Sequence, residues 1–140
     1  MVGHDERGQA LVEFALILPV LLLLILGLFD VARAVWQENT LAFASREATR
    51  YAIVHGSAAT SPVPYCSSCS NTTIQGVVEQ YAIGLPNITV TMGYPDGNND
   101  RGSRVYVQAT APFVPLPSQY LLNGALTVTL RGGSNMVIQH

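Results

Sequence analysis

The chain has 140 residues, of which 49% are hydrophobic and only 11% are charged, and its formal net charge is −2. One apolar run takes up about the first fifth of the length, which leaves room for a single small domain with a modest core. Seven arginines, no lysine and nine acidic residues exclude a basic surface that would hold nucleic acid.

In chain order, the first features are a short charged leader over 1–8 and then an apolar run. The run is uncharged from Phe14 to Phe29 and would cover ~24 Å as a helix, so the preceding apolar residues are expected to help span a hydrocarbon core of ~30 Å. It is longer than the core of a removable signal peptide, and no small-residue cleavage site directly follows it. The sequence therefore predicts a retained transmembrane helix over 9–29.

Two residues of this predicted helix are unusual for a membrane span, one because it is ionisable and one because it is a proline. Glu13 is ionisable, and a charge inside a membrane costs about 2.5–3.5 kcal/mol on insertion scales, so it needs a partner or a role. If the chain is cut between Gly8 and Gln9, the new α-amino group at Gln9 offers such a partner on a neighbouring copy. Pro19 removes a backbone donor and predicts a helix kink, either as a tolerated membrane proline or as a place where the helix stretches during assembly.

Helical character continues beyond the span although the composition changes. Residues 31–54 contain no Gly or Pro and are rich in Ala, Glu and Arg. Their apolar side chains recur on one stripe. The stripe consists of Ala34, Leu41, Ala48 and Ala52. One long helix is therefore predicted over 9–54, amphipathic over 30–54, and it leads into an extracytoplasmic head over 55–140.

Both cysteines, Cys66 and Cys69, fall in a loop over 57–71 that is rich in Ser, Pro and Ala. The Cys-x-x-Cys spacing is compatible with a local structural disulfide, with free thiols, or with redox or metal chemistry. No clear thioredoxin-like context surrounds the pair, and no second ligand pair is available for zinc. The disulfide is favoured, no metal or cofactor is expected, and an oxidising, non-cytoplasmic location fits.

The head is predicted to combine one short helix with three or four antiparallel strands, which makes the fold class α+β. Helical periodicity covers 72–85, and Thr72 and Gln75 form a plausible capping box at its start. Beyond it the period changes to two, which is typical of strands. The three alternating runs lie at 88–94, 105–109 and 126–130.

Two breaks lie between these runs, at 95–102 and 112–117, and a third at 131–134 follows the last run. Residues 95–102 carry several side-chain oxygens, but the EF-hand spacing is absent, so a solvated hairpin loop is favoured over a calcium site. The proline-rich stretch 112–117 predicts an extended connector or an exposed contact strip. The glycines of 131–134 predict a bend or bulge in the last strand pair.

The segment around Gly8 resembles the start of TadE-like pseudopilins of tight-adherence (type IVc) pilus systems. The likeness rests on a glycine, four residues, then Glu13-Phe14, with Pro19 inside the hydrophobic helix. It extends to an Ala/Arg-rich, Tyr-containing stretch at 44–52 and to the C-terminal strand. The resemblance implies cleavage between Gly8 and Gln9 by a prepilin peptidase, with Glu13 and Phe14 acting in assembly.

The resemblance also implies a structural protein with no enzymatic activity. Such a chain would be a minor pilin or pseudopilin, placed in the bacterial inner membrane with its N-terminus in the cytoplasm and then in the periplasm or an extracellular pilus. Its partners would be the prepilin peptidase, membrane lipid, the inner-membrane assembly platform and other pilin subunits, in a homo- or hetero-oligomeric filament that serves surface adhesion.

Two alternatives remain open at this point. One is an unprocessed bitopic envelope protein that anchors a periplasmic domain in a secretion or assembly complex. The other, more distant, is a membrane-tethered thiol oxidoreductase that uses Cys66 and Cys69. No recognisable nucleophile and base setting or phosphate-binding loop points to an enzyme of another kind.

Overall fold

The computed structural model describes residues 5–121 and 123–139, so the first four residues of the predicted leader lie outside the described part. The elements in chain order are α1 (Asp5–Val54), α2 (Thr72–Tyr81), β1 (Thr89–Gly93), β2 (Arg104–Phe113), α3 (Leu116–Leu121) and β3 (Val128–Val137). The predicted α+β class is confirmed, with a long apolar helix and a small head that carries a short helix and a three-stranded antiparallel sheet.

The chain divides into two compact units. The first unit runs through Arg33 and includes Val114–Leu126, which contains α3. The second unit begins at Ala34 and holds the C-terminal part of α1, α2 and the whole sheet.

Helix α1 is continuous over its 50 residues and passes through Pro19. The Leu- and Ala-rich composition favours helix, and this offsets the donor lost at the proline. The helix ends at Val54, as the sequence predicts, and begins at Asp5, inside the predicted leader. His55 closes the C-terminus, because its Nδ1 lies 2.8 Å from the carbonyl oxygen of Tyr51.

One stripe of α1 forms part of the core of the second unit. The buried residues follow the i, i+3, i+4 spacing of a single helix face. They are Leu41, Ala44, Ser45, Ala48, Thr49 and Ala52. Three members of the predicted stripe are therefore buried, whereas Ala34 is only half-buried. The two buried hydroxyls find partners, since Ser45 Oγ donates to the Gly132 carbonyl at 2.9 Å and Thr49 Oγ1 to the Ser45 carbonyl at 2.7 Å.

The sheet has the order β1-β2-β3, and both pairs are antiparallel. Burial alternates along the central strand β2, because successive side chains point to opposite faces. The buried face of β2 carries Val105, Val107, Ala109, Ala111 and Phe113. Four of these residues, all except Phe113, join a single core cluster with the α1 stripe, Ile74 and Val78 of α2, and Val90 and Met92 of β1.

The predicted bend in the last strand pair is wrong. β3 pairs with β2 one to one from Val128 to Val137, and the register continues through both glycines. Gly132 has a different purpose: a Cβ there would lie 2.7 Å from the Leu41 carbonyl oxygen and within 3.0 Å of the backbone nitrogen of Ala42. The glycine therefore permits close approach of the strand to the helix backbone.

The start and end of α2 differ from the sequence expectation. The N-cap is Asn71, whose side chain accepts from the backbone N–H groups of Thr73 and Ile74. The capping box predicted for Thr72 is therefore wrong, because an Asn side chain one position earlier already satisfies those donors. The helix ends at Tyr81, before the predicted residue 85.

The predicted extended connector over 112–117 is largely wrong. β2 continues to Phe113, and α3 begins at Leu116. Prolines are compatible with this start, because the first turn of a helix has N–H groups without intrahelical partners. The turn is closed by the Gln119 N–H, which donates to the Pro115 carbonyl at 2.9 Å.

The loop over 95–102 connects β1 to β2, and an ion pair joins its Asp96 to Arg104 at the start of β2. Arg104 Nη2 lies 2.6 Å from Asp96 Oδ1, and the Arg104 backbone N–H donates to Asp96 Oδ2 at 2.7 Å. Hydrogen bonds from Arg104 lower the pKa of the Asp96 carboxyl to about 2. Within residues 5–121 and 123–139, no three His, Cys, Asp or Glu side chains are grouped to hold a metal ion.

Gly132→Ala is expected to destabilise the protein by about 1–3 kcal/mol or more, as overpacking does. The added methyl group would clash with the backbone of Leu41 and Ala42 in α1, which cannot move away as a side chain can. Gly133→Ala is the matched control, since a Cβ there has its nearest neighbour, the Val107 carbonyl, at 3.7 Å. Denaturant unfolding of the full-length chain in detergent micelles measures both. Equal stability of the two variants would contradict the proposed contact.

The ion pair of Asp96 is expected to weaken in acid. Its folded-state pKa is lowered from 3.8 to about 2, so its contribution is complete above the ordinary value and is lost as the pH falls through about 2. The carboxyl shift of Asp96 and the amide shift of Arg104, followed by NMR, should titrate together in that window. Asp96→Asn should abolish the transition and Asp100→Asn should leave it in place. Titration of Asp96 at its ordinary value would contradict the pairing.

Candidate functional site

Helix α1 places the predicted cleavage and pairing residues within two turns. Gln9 and Glu13 are separated by four positions, so they share one face of the helix. A Cβ added at Gly8 would meet no atom within 4 Å, and Glu13 and Phe14 are exposed. No described residue forms a hydrogen bond or ion pair with the Glu13 carboxylate. Both the cleavage and the pairing remain predictions.

The apolar part of α1 has a surface that its own chain leaves uncovered. Among the described residues, α1 is the one helix long and apolar enough to cross a membrane, and none of its most apolar window is buried. The exposed fractions of Leu16, Leu24 and Leu28 are 71%, 68% and 73%. A core helix of a soluble protein would bury such side chains, so this surface requires lipid or protein around it.

The first acidic and the first basic residue after the apolar run both bind the backbone of the 114–116 stretch, within the first unit. Asp30 is buried, and its Oδ2 accepts the Leu116 backbone N–H at 2.8 Å. Arg33 Nη2 donates to the Val114 carbonyl at 3.0 Å, and its Nη1 lies 3.9 Å from Asp30 Oδ1. This Asp30–Arg33 clamp binds the backbone that leads into α3 to α1.

Beyond the clamp, the 114–126 segment closes on itself. Ser118 is buried, and its Oγ accepts the Leu126 N–H at 2.9 Å and donates to the Leu126 carbonyl at 3.2 Å. The Gly124 N–H donates to the Ser118 carbonyl at 2.9 Å. Asn123 and Gly124 both have positive φ, which turns the chain back.

A groove of about 460 Å³ lies between α3 and the apolar part of α1, within the first unit. Pro19 and three leucines of α1 form one wall, and Leu116, Pro117 and Tyr120 form the other. Pro19, at which the sequence predicts a kink, therefore lines this groove. Helix α1 is continuous through it. The kink itself stays a prediction.

Cys66 and Cys69 are joined in a disulfide. Cys69 exchanges two backbone hydrogen bonds with Met92, at 2.9 and 2.8 Å, and the Tyr94 N–H donates to the Cys66 carbonyl at 3.2 Å. The loop therefore covers the edge of β1 that would otherwise be open to pairing with another strand. Tyr94 is buried beside it, and this burial raises the pKa of its phenol.

The Asp30–Arg33 clamp and the groove are the features that sequence reasoning missed. The available signal was a pair of opposite charges spaced i, i+3 directly after the apolar run. That signal does not identify the partners, because Val114 and Leu116 are backbone acceptor and donor 81 and 86 residues away in the chain.

Residues 8–50 match the model of the family described as TadE-like protein. Over these residues the chain is similar to that family. The matched range begins at Gly8, contains Glu13 and Pro19, and includes the Asp30–Arg33 clamp. The resemblance inferred from the sequence is therefore confirmed over this segment. No curated protein and no solved structure matches the chain.

Over residues 8–50 the chain is similar to a pilus-related family of tight-adherence systems. The family is structural, which favours a non-enzymatic role, and it suggests other pilin subunits as partners. One long apolar helix fits a single-pass membrane anchor in such a protein.

Proposed function

We propose that this chain is a minor pilin or pseudopilin of a tight-adherence pilus. A prepilin peptidase removes residues 1–8, and α1 holds the processed chain in the inner membrane with its N-terminus in the cytoplasm. The assembly platform then transfers it into a filament with other pilin subunits, where it takes part in surface adhesion. The head over 55–140 is extracytoplasmic.

The observation that carries the proposal is the TadE-like match, which begins at Gly8, on a helix whose apolar surface is uncovered. A pilin meets two apolar environments in succession, first lipid and then the packed helices of a filament. The exposed surface of α1 suits both. The open space around Gly8 also supports access of a peptidase.

Glu13 is proposed to pair with the α-amino group of Gln9 on a neighbouring processed subunit. Its carboxylate is exposed on the same helix face as Gln9, so it is available to another chain. Removal of one partner from a buried ion pair costs about 3–5 kcal/mol, which is enough to decide whether a subunit leaves the bilayer for a filament. The main alternative, an unprocessed bitopic envelope protein, has no such amine at Gln9.

Processing is expected to fail in Gly8→Trp, because the peptidase requires a small residue before the scissile bond. The matched control is Gly27→Trp, a second glycine of α1 with no atom within 4 Å of an added Cβ, which should be processed normally. Intact-mass spectrometry of membrane-extracted chains measures the N-terminus. A wild-type chain that begins at Met1 or Val2 in cells containing the peptidase would favour the bitopic alternative.

The pairing of Glu13 has a specific chemical test because the chain contains no lysine. The α-amine is therefore its sole primary amine, and a zero-length carbodiimide should join Gln9 of one processed subunit to Glu13 of another. Glu13→Gln should abolish this crosslink and deplete the chain from sheared filaments. Glu38→Gln, at another exposed acid of α1, should preserve both. Normal incorporation of Glu13→Gln would show that the charge is dispensable for assembly.

A further inference from the structure

We infer that the 114–126 segment enters the outer leaflet of the membrane beside α1, and that lipid acyl chains occupy the groove between α3 and α1. The inference rests on the membrane location of α1 in the proposed function. The test below distinguishes failure of this inference from failure of the membrane location of α1.

The chemistry of the groove favours a hydrocarbon occupant. Its lining is entirely apolar, so water inside it would lack the two to four polar partners that an ordered water needs. The wall on α1 is continuous with side chains that the membrane proposal already assigns to lipid. Leu22 and Leu23, for example, are 50% and 52% exposed even with α3 beside them.

The position of the groove along α1 fits acyl-chain depth. Its residues on α1 extend from Leu26 back to Pro19, four to eleven positions before Asp30. At 1.5 Å per residue they lie ~6 to ~16.5 Å along the helix from Asp30, which extends from near the interface to about the middle of a ~30 Å hydrocarbon core. The Asp30–Arg33 clamp holds the first charges after the span, so it marks the interface.

Several backbone polar groups of the 114–126 segment are satisfied by protein, which is what backbone in lipid requires. The clamp binds the Val114 carbonyl and the Leu116 N–H, and Ser118 binds both backbone groups of Leu126. Pro115 and Pro117 have no N–H to satisfy. No Asp, Glu, Lys, Arg or His occurs anywhere from residue 105 to residue 130.

Tyr120 fits the same environment. Its side chain is 78% exposed at the edge of the groove. Tyrosine is enriched near the membrane interface, where the ring contacts hydrocarbon and the hydroxyl reaches polar groups.

The test places one tryptophan at a time in the full-length chain, with the native tryptophan removed by Trp36→Phe. Tyr120→Trp reports on the segment, Leu24→Trp on the apolar part of α1, and Ile83→Trp on the second unit. The three sites have similar exposure in the protein, at 78%, 68% and 75%. Each chain is reconstituted at one copy per nanodisc in phosphatidylcholine and phosphatidylglycerol, and phospholipids brominated on the acyl chain quench the fluorescence.

The expected result is that quenching in Tyr120→Trp matches that in Leu24→Trp and exceeds that in Ile83→Trp several-fold. Strong quenching in Leu24→Trp with Tyr120→Trp as weak as Ile83→Trp would overturn the inference and leave the membrane anchor intact. Weak quenching in all three would overturn both. The tryptophan of Tyr120→Trp could instead become buried only at several copies per disc, without quenching by lipid. That result would assign the groove to a second copy of the chain and would also overturn the inference.

A second measurement needs no substitution. A lipid-soluble diazirine, activated in vesicles that hold the unaltered chain, labels protein inside the bilayer. Cleavage after Arg104 and Arg131 releases the whole segment in one peptide. Labels within 114–126, and none within 105–113, are expected. An unlabelled peptide beside a labelled α1 would contradict the inference.

Discussion

The structure depends on one constraint: the apolar side chains of α1 between residues 11 and 29 stay largely exposed, even where α3 lies beside them. Soluble monomers rarely expose a contiguous apolar patch beyond a few hundred Å², and each Å² removed from water is worth about 25 cal/mol. The gain from covering a helix of this length is therefore large. A bilayer and a bundle of neighbouring pilin helices both provide it, so one surface serves the two stages of the proposed life of the subunit.

The same helix meets its surroundings in two ways, and the side chains explain the difference. Up to Phe29 the face is built of large aliphatic residues that suit a fluid apolar environment. From Leu41 to Ala52 the buried stripe is mostly Ala, Ser and Thr, and these small residues let a strand approach the helix backbone. The Asp30–Arg33 clamp lies between these two parts of the helix. There, the first charged side chains after the span form hydrogen bonds with backbone groups of residues 114 and 116.

Features with a local cause were predictable from the sequence, whereas features with a distant cause were not. The end of α1, the α+β class and the TadE-like start follow from composition, periodicity and a short motif. The straight course of β3 through Gly132 depends on Leu41, and the site formed by Asp30 depends on Leu116. In each case the partner lies more than eighty residues away, and only the folded chain relates them.

Gly132 also has a consequence for how the second unit bears force. The strand lies in a notch against α1, and Ser45 crosses that contact with a hydrogen bond to the Gly132 carbonyl. In the proposed filament, tension would act along the long helices of the subunits. The load would then reach the sheet as shear across interlocked backbones and a buried hydrogen bond, instead of peeling one strand from the next. The close contact between Gly132 and the backbone of α1 would thus contribute to the mechanical resistance of the second unit.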